Sequence, residues 1–153
     1  MEALDLTLAP PRGPRERLLG LAFLPRTIDK MRASLPGGNL AGYLVDFPRG
    51  LSAYMLKRVG VDLAAMQRKV AEAEDEADVL AWFADHADLS DVDGLNAKLE
   101  ALGMSRLPED ERAMVYRAHP GLDQRSDLTA FFDIFEFDDA RHPARAAQPS
   151  TGR

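Results

Sequence analysis

The chain has 153 residues, a formal net charge of −6 and 46% hydrophobic residues, which suits one domain with a buried core. The absence of cysteine excludes disulfides, thiolate catalysis and cysteine-bound metal centres. The acidic balance argues against a nucleic-acid-binding surface, and no apolar run approaches the roughly 20 residues that cross a membrane. We therefore expect a cytoplasmic protein with neither nucleic acid nor membrane as a partner.

The N-terminal part of the chain is predicted to be extended and then helical. Residues 1–14 contain Pro10, Pro11 and Pro14, which indicate an extended arm. Residues 15–23 follow this last proline and are mostly apolar, so we expect a short buried helix there.

The stretch from 25 to 35 is predicted to be the central helix. Pro25 suits its first turn, and Pro36 ends it. Its apolar residues recur at the spacing of one helix face: Leu24, Ile28, Met31 and Leu35. Its polar face carries the densest mixture of opposite charges in the chain: Arg26, Asp29, Lys30 and Arg32.

This polar face has two interpretations. A mixed-charge helix face is usually solvated, and the Arg26–Asp29 pair would then contribute only about 0.2–0.5 kcal/mol. Alternatively, the cations bind an anionic ligand, because the planar guanidinium of arginine can bond two oxygens of a phosphate or carboxylate at once. The candidate ligand-binding residues on this second interpretation are Arg12, Arg15, Arg26, Asp29, Lys30, Arg32 and Tyr43.

Helices continue along the chain after one extended segment. Residues 39–48 lack helical periodicity and are expected to lie extended over the core, where they could pair with the arm at Leu4–Leu8. A helix over 51–59 follows, and Asp62 is predicted to cap the next. Residues 63–88 form either one long helix or two; we favour a break at Asp75, which could cap a second helix.

The remaining pattern completes an all-α fold of about seven or eight short helices in one compact domain over residues 1–137. Helices are predicted after Ser90 or Asp91, from Pro108, and from Ser126 or Asp127. Residues 138–153 are polar and are expected to form a disordered tail.

Charge is distributed unevenly along the sequence. From Arg12 to Arg32, six basic and two acidic residues give +4, whereas from Glu72 to Asp93 nine acidic residues without Lys or Arg give −9. The two regions either face each other within the molecule or form a dipolar surface that favours a homodimer.

No catalytic or metal-binding motif stands out. The three histidines have no two-histidine ligand spacing, and we expect no metal site and no cofactor. His86 shares a helix face with Trp82, so a contact between the two rings is the favoured role for it.

Two stretches resemble a known family. Pro11-Arg12-Gly13-Pro14-Arg15-Glu16-Arg17-Leu18-Leu19-Gly20, followed by Leu24-Pro25-Arg26-Thr27-Ile28-Asp29-Lys30-Met31-Arg32-Ala33, is similar to a bacterial family of uncharacterised proteins, the domain of unknown function numbered 5069. The stretches 75–82 and 96–103 also resemble it. The resemblance implies a mostly helical fold and supports the helix break before Glu76, and it implies no activity.

Three functional hypotheses remain open. The first is a binding or interaction module whose charged helix face holds an anionic small molecule or an acidic protein surface. The second is an enzyme with a site around Arg26, Asp29 and Lys30, marked by buried acid–base pairs. In the third, the charged helix is purely structural and ties the arm and the 39–48 segment to the core.

Overall fold

Residues 1–142, the part of the chain that the computed structural model describes, contain seven α-helices, two short 3₁₀ helices and one short β-hairpin. The helices are α1 (Leu24–Ala33), α2 (Leu51–Arg58), α3 (Leu63–Glu72), α4 (Glu76–His86), α5 (Val92–Ala101), α6 (Glu109–Ala118) and α7 (Phe131–Ala140). The fold is mostly helical, as predicted, but it is not purely all-α. None of the helices in residues 1–142 is both long enough and apolar enough to cross a membrane.

The prediction of a helix over 15–23 is wrong, because this stretch forms the hairpin. Strand β1 (Arg17–Leu18) pairs antiparallel with β2 (Leu21–Ala22). The two residues between them, Leu19 and Gly20, have φ angles of 52° and 76°. Positive φ at both central residues is the geometry of a two-residue hairpin turn and is incompatible with a right-handed helix.

Asn96 of α5 fixes this hairpin to the core. Its side-chain oxygen accepts a hydrogen bond from the Ala22 amide at 2.9 Å, and its nitrogen donates to the Gly20 carbonyl at 2.8 Å. Asn96 is buried, so these bonds satisfy polar groups that water does not reach.

Helix starts follow the predicted capping residues. Asp62, Asp75 and Asp91 each accept a hydrogen bond from the backbone amide three residues later. The cap at Asp75 separates α3 from α4, which confirms that residues 63–88 form two helices.

The extended segment and the arm meet as predicted, but at a single residue. Asn39 accepts a hydrogen bond from the Leu6 amide at 2.8 Å and donates to the Leu4 carbonyl at 2.9 Å. Residues 40–50 then continue without helix or strand until α2 begins.

Helix α7 starts later and ends later than the pattern indicated. It begins at Phe131 and continues to Ala140, past the predicted end of the domain at residue 137. Asp139 and His142, which the prediction assigned to the tail, are buried. The rest of the predicted tail, residues 143–153, lies outside the described residues.

Helix α1 lies at the centre of the core. Every residue of it except Arg32 is buried. Leu24, Ile28 and Met31 are at most 1% exposed, which confirms the predicted apolar face at these three residues. The helix ends at Ala33, so Leu35, the fourth predicted member, lies beyond it and is only partly buried. The other face of α1 is also covered, and this places its charged residues inside the protein.

Candidate functional site

The predicted polar face of α1 is not solvated. Arg26, Asp29 and Lys30 are only 3%, 5% and 7% exposed. The interpretation as a weak surface ion pair is therefore wrong, because buried charges need partners or must lose their charge. The partners come from parts of the chain that are distant in sequence, and they divide the predicted residues into separate groups.

One group is the Arg12 cluster, formed by Arg12, Asp29 and Glu76. The Arg12 backbone amide donates to the Asp29 carboxylate at 2.8 Å, and the Arg12 guanidinium bonds the same carboxylate at 2.8 and 3.0 Å. The guanidinium also donates to Glu76 at the start of α4. This cluster ties the arm to both α1 and α4, and it joins the basic and acidic regions of the sequence within one molecule.

A second group is the Arg26 cluster, formed by Arg26, Tyr43 and Asp139. Arg26 binds both oxygens of the Asp139 carboxylate, at 2.6 and 3.1 Å, and the Tyr43 hydroxyl donates to that carboxylate at 3.1 Å. The guanidinium lies 5.4 Å from the Tyr43 ring centroid. Burial, with the charge of Asp139, raises the pKa of Tyr43 above its usual value, so the phenol stays protonated as a donor. The predicted anion site is thus filled by a carboxylate of this chain.

Lys30 differs from both clusters because its charge is not compensated. Its amine donates to the Leu44 carbonyl at 2.9 Å and lies 5.2 Å from the centroid of the Phe23 ring. Among residues 1–142, no carboxylate forms an ion pair with it. Burial, together with the positive charge of Arg26 one helical turn away, lowers the pKa of Lys30 to about 7.

The last two predicted residues lie apart from this centre. Arg15 binds Asp133 and Glu136 on the outer side of α7, at 2.7 and 2.6 Å. Arg32 donates to the Glu2 carbonyl at 2.9 Å, on the side of α1 that faces the start of the arm. The seven predicted residues therefore do not form one ligand-binding surface.

Sequence reasoning missed three groups that complete this centre. They are the Glu76 carboxylate, the Asp139 carboxylate and the Leu44 carbonyl, and all three are far from α1 in sequence. The available signal was weak: Asp139 follows the aromatic stripe of α7 at helical spacing from Phe132 and Phe135, which favours a helix that continues past residue 137.

Other features of residues 1–142 are separate from this centre. His86 stacks on Trp82 with ring centroids 4.4 Å apart, which confirms the predicted contact. No group of three or more His, Cys, Asp or Glu side chains in these residues is arranged to hold a metal ion. A surface cleft where α2 ends and α5 begins is lined by Arg58, Asp88 and Lys98, and it includes none of the predicted residues.

Comparison with known proteins supports the family resemblance and adds no activity. A search of curated proteins finds no relative that matches this chain. A family model described as a domain of unknown function matches residues 8–141, which include the second half of the arm, all seven helices and both charge clusters. The chain therefore belongs to the family called Domain of unknown function (DUF5069).

Proposed function

We propose that the protein is a binding module for a small anionic molecule, which it holds at the Lys30 site. This site comprises the Lys30 amine, the Leu44 carbonyl and the Phe23 ring, with Arg26 and Tyr43 beside it. The observation that carries the proposal is the burial of Lys30 without a carboxylate partner among residues 1–142.

The buried Lys30 ammonium has a high desolvation cost. An isolated charge is expensive to remove from water, and a protein commonly lowers that cost by letting the group lose its proton. The lowered pKa of Lys30 is the expected response. An anionic ligand would supply the missing counter-charge, so its binding should draw a proton onto the amine.

The other predicted cations do not support binding in the same way. Arg12 and Arg26 already face carboxylates of the chain, and removing these partners would leave charges unpaired. These two clusters support the structural hypothesis, in which charged side chains tie the arm and the 39–48 segment to α1; through Asp139 they also tie α7 to it. At the Lys30 site, by contrast, no carboxylate of residues 1–142 pairs with the buried amine, so an anionic ligand would supply the missing negative charge.

Isothermal titration calorimetry tests this proposal through the proton. The probes are L-lactate and inorganic phosphate, added at about pH 8, where Lys30 is mostly neutral. We expect the binding enthalpy to differ between Tris and HEPES, because the complex takes up a large fraction of one proton from the buffer. Lys30→Met should abolish this uptake.

Arg32→Ala is the matched control, because Arg32 is on the same helix but lies away from the site. Its binding enthalpies should equal those of the unmodified protein. The proposal is overturned if neither probe produces heat, or if binding occurs with the same enthalpy in both buffers.

A further inference from the structure

The Lys30 amine has the environment of a nucleophile. A lysine becomes nucleophilic near neutral pH when it is desolvated in an apolar pocket or placed beside another cation, since both destabilise the ammonium form. Lys30 meets both conditions, because it is 7% exposed and has Arg26 one turn before it on α1; the Phe23 ring, 5.2 Å from the amine, opposes this effect in part through a cation–π contact. About half of the amine is neutral at pH 7.

The hydrogen bonding of this amine suits the neutral form. A neutral amine has two N–H donors and one lone pair, and the Leu44 carbonyl accepts one of the donors. The acceptor is an uncharged carbonyl, and no carboxylate of residues 1–142 holds the proton in place. The lone pair is therefore available to attack an electrophile.

The segment that covers Lys30 is held mainly by side chains. Within residues 40–50 the backbone hydrogen bonds are local, from Tyr43 to Leu40 and from Gly50 to Phe47. The longer-range polar contacts are the Lys30–Leu44 bond, the Tyr43–Asp139 bond and an Arg49–Glu111 ion pair on the surface. The Leu44 side chain is 62% exposed, whereas the adjacent Val45 is 5% exposed and belongs to the core, so only a movement that leaves Val45 in place exposes little additional apolar surface. Opening at Leu44 would uncover the amine without breaking a helix or a sheet.

We infer that Lys30 forms an imine with a small 2-oxo acid. This acid is the anionic ligand of the proposed function, on which the inference rests. The lone pair of Nζ attacks the ketone carbon and forms a C–N bond. One amine hydrogen passes to the oxygen and gives a carbinolamine, and the second leaves with that hydroxyl as water when the C=N bond forms. The reaction needs no oxidant or reductant, and water is the leaving group. The amine attacks in its neutral form, and the proton that the bound anion draws in then resides on the imine nitrogen.

Arg26 explains the preference for an acid over an uncharged ketone. Its guanidinium carries a permanent charge one helical turn from the amine, and this charge opposes an ammonium at Nζ. A carboxylate attached to the reacting carbon would compensate this field at Nζ, while Arg26 keeps its bonds to Asp139. Tyr43, which is adjacent to Leu44 and bonded to Asp139, keeps the Arg26 side chain in position through its ring.

Borohydride trapping with pyruvate tests the inference. The full chain is treated with pyruvate and sodium borohydride at about pH 8, and the reduced adduct is located by peptide mass spectrometry. At this pH the neutral fraction of Lys30 exceeds that of an ordinary lysine by about two orders of magnitude. The less basic amine of Lys30 is also a weaker nucleophile, which offsets part of this advantage. We therefore expect roughly tenfold more adduct at Lys30 than at the exposed Lys57.

One variant, one comparison lysine and one unreactive ligand make the outcome decisive. Lys30→Met should lose the adduct while Lys57 is labelled as before, and L-lactate, which has no ketone, should give none. If L-lactate binds with proton uptake but pyruvate labels Lys30 no more than Lys57, the inference fails and the proposed function stands. If L-lactate and phosphate do not bind and Lys30 is not labelled, both fail.

Discussion

Replacing Asp29 by alanine is expected to lower the free energy of unfolding by about 3 kcal/mol, the scale observed when one partner of a buried ion pair is removed. Asp29 is 5% exposed and accepts bonds from the Arg12 amide and from its guanidinium. Without it, Arg12 keeps only Glu76 as a carboxylate partner, and the arm loses its ion pair with α1, while the bonds from Arg26 and Arg32 to the arm backbone remain. Urea denaturation followed by circular dichroism measures the change.

Asp127→Ala is the control for this variant. Asp127 pairs with Arg125 on the surface, where both side chains are about half exposed or more. Exposed pairs contribute only about 0–1 kcal/mol. Equal losses for the two variants would mean that the Arg12 cluster does not stabilise the fold.

Replacing Lys30 by methionine is expected to stabilise the protein by about 2–4 kcal/mol near pH 6. The pKa of Lys30 is lowered to about 7 in the folded protein, whereas an unfolded lysine keeps a proton to well above this pH. Between the two pKa values the unfolded chain binds more protons, so the stability of the unmodified protein rises with pH in this window. The advantage of the variant should therefore be full below pH 7 and shrink as the pH rises toward about 10.

Unfolding free energies measured across this range for both proteins test the sign directly. Lys57→Met, which changes an exposed lysine on α2, should show no such pH-dependent difference. A Lys30→Met variant that is less stable than the unmodified protein at every pH would show that the ammonium is well accommodated in the folded state. That result would remove the basis for a ligand at this site.

Local sequence patterns were sufficient for most of the helices. Asp62, Asp75 and Asp91 each precede a helical pattern, and each accepts a hydrogen bond from the amide three residues later. Such a cap can therefore be recognised from neighbouring residues alone. The hairpin was missed because apolar residues on all sides of residues 18–24 do not distinguish a buried helix from a buried strand. The left-handed conformation of Leu19 is also unusual for a leucine.

The burial of the charged residues could not be predicted in this way. Arg26, Asp29 and Lys30 share a helix face, and such a pattern is typical of a solvated surface. What covers that face is Arg12 from the arm, Leu44 from the 40–48 segment and Asp139 from α7. The residues in these contacts are between 14 and 113 positions apart in the sequence, so no local pattern predicts them.

The protonation state of the Lys30 amine tests the proposed ligand site most directly. Heteronuclear NMR can follow the titration of the Lys30 side-chain carbon or nitrogen signals, assigned by comparison with Lys30→Met, in the free protein and with saturating L-lactate. We expect a pKa of about 7 in the free protein and a higher pKa in the presence of lactate, because the bound anion stabilises the ammonium. A free amine that titrates at the ordinary lysine value of about 10.4 and is unaffected by lactate would contradict the account.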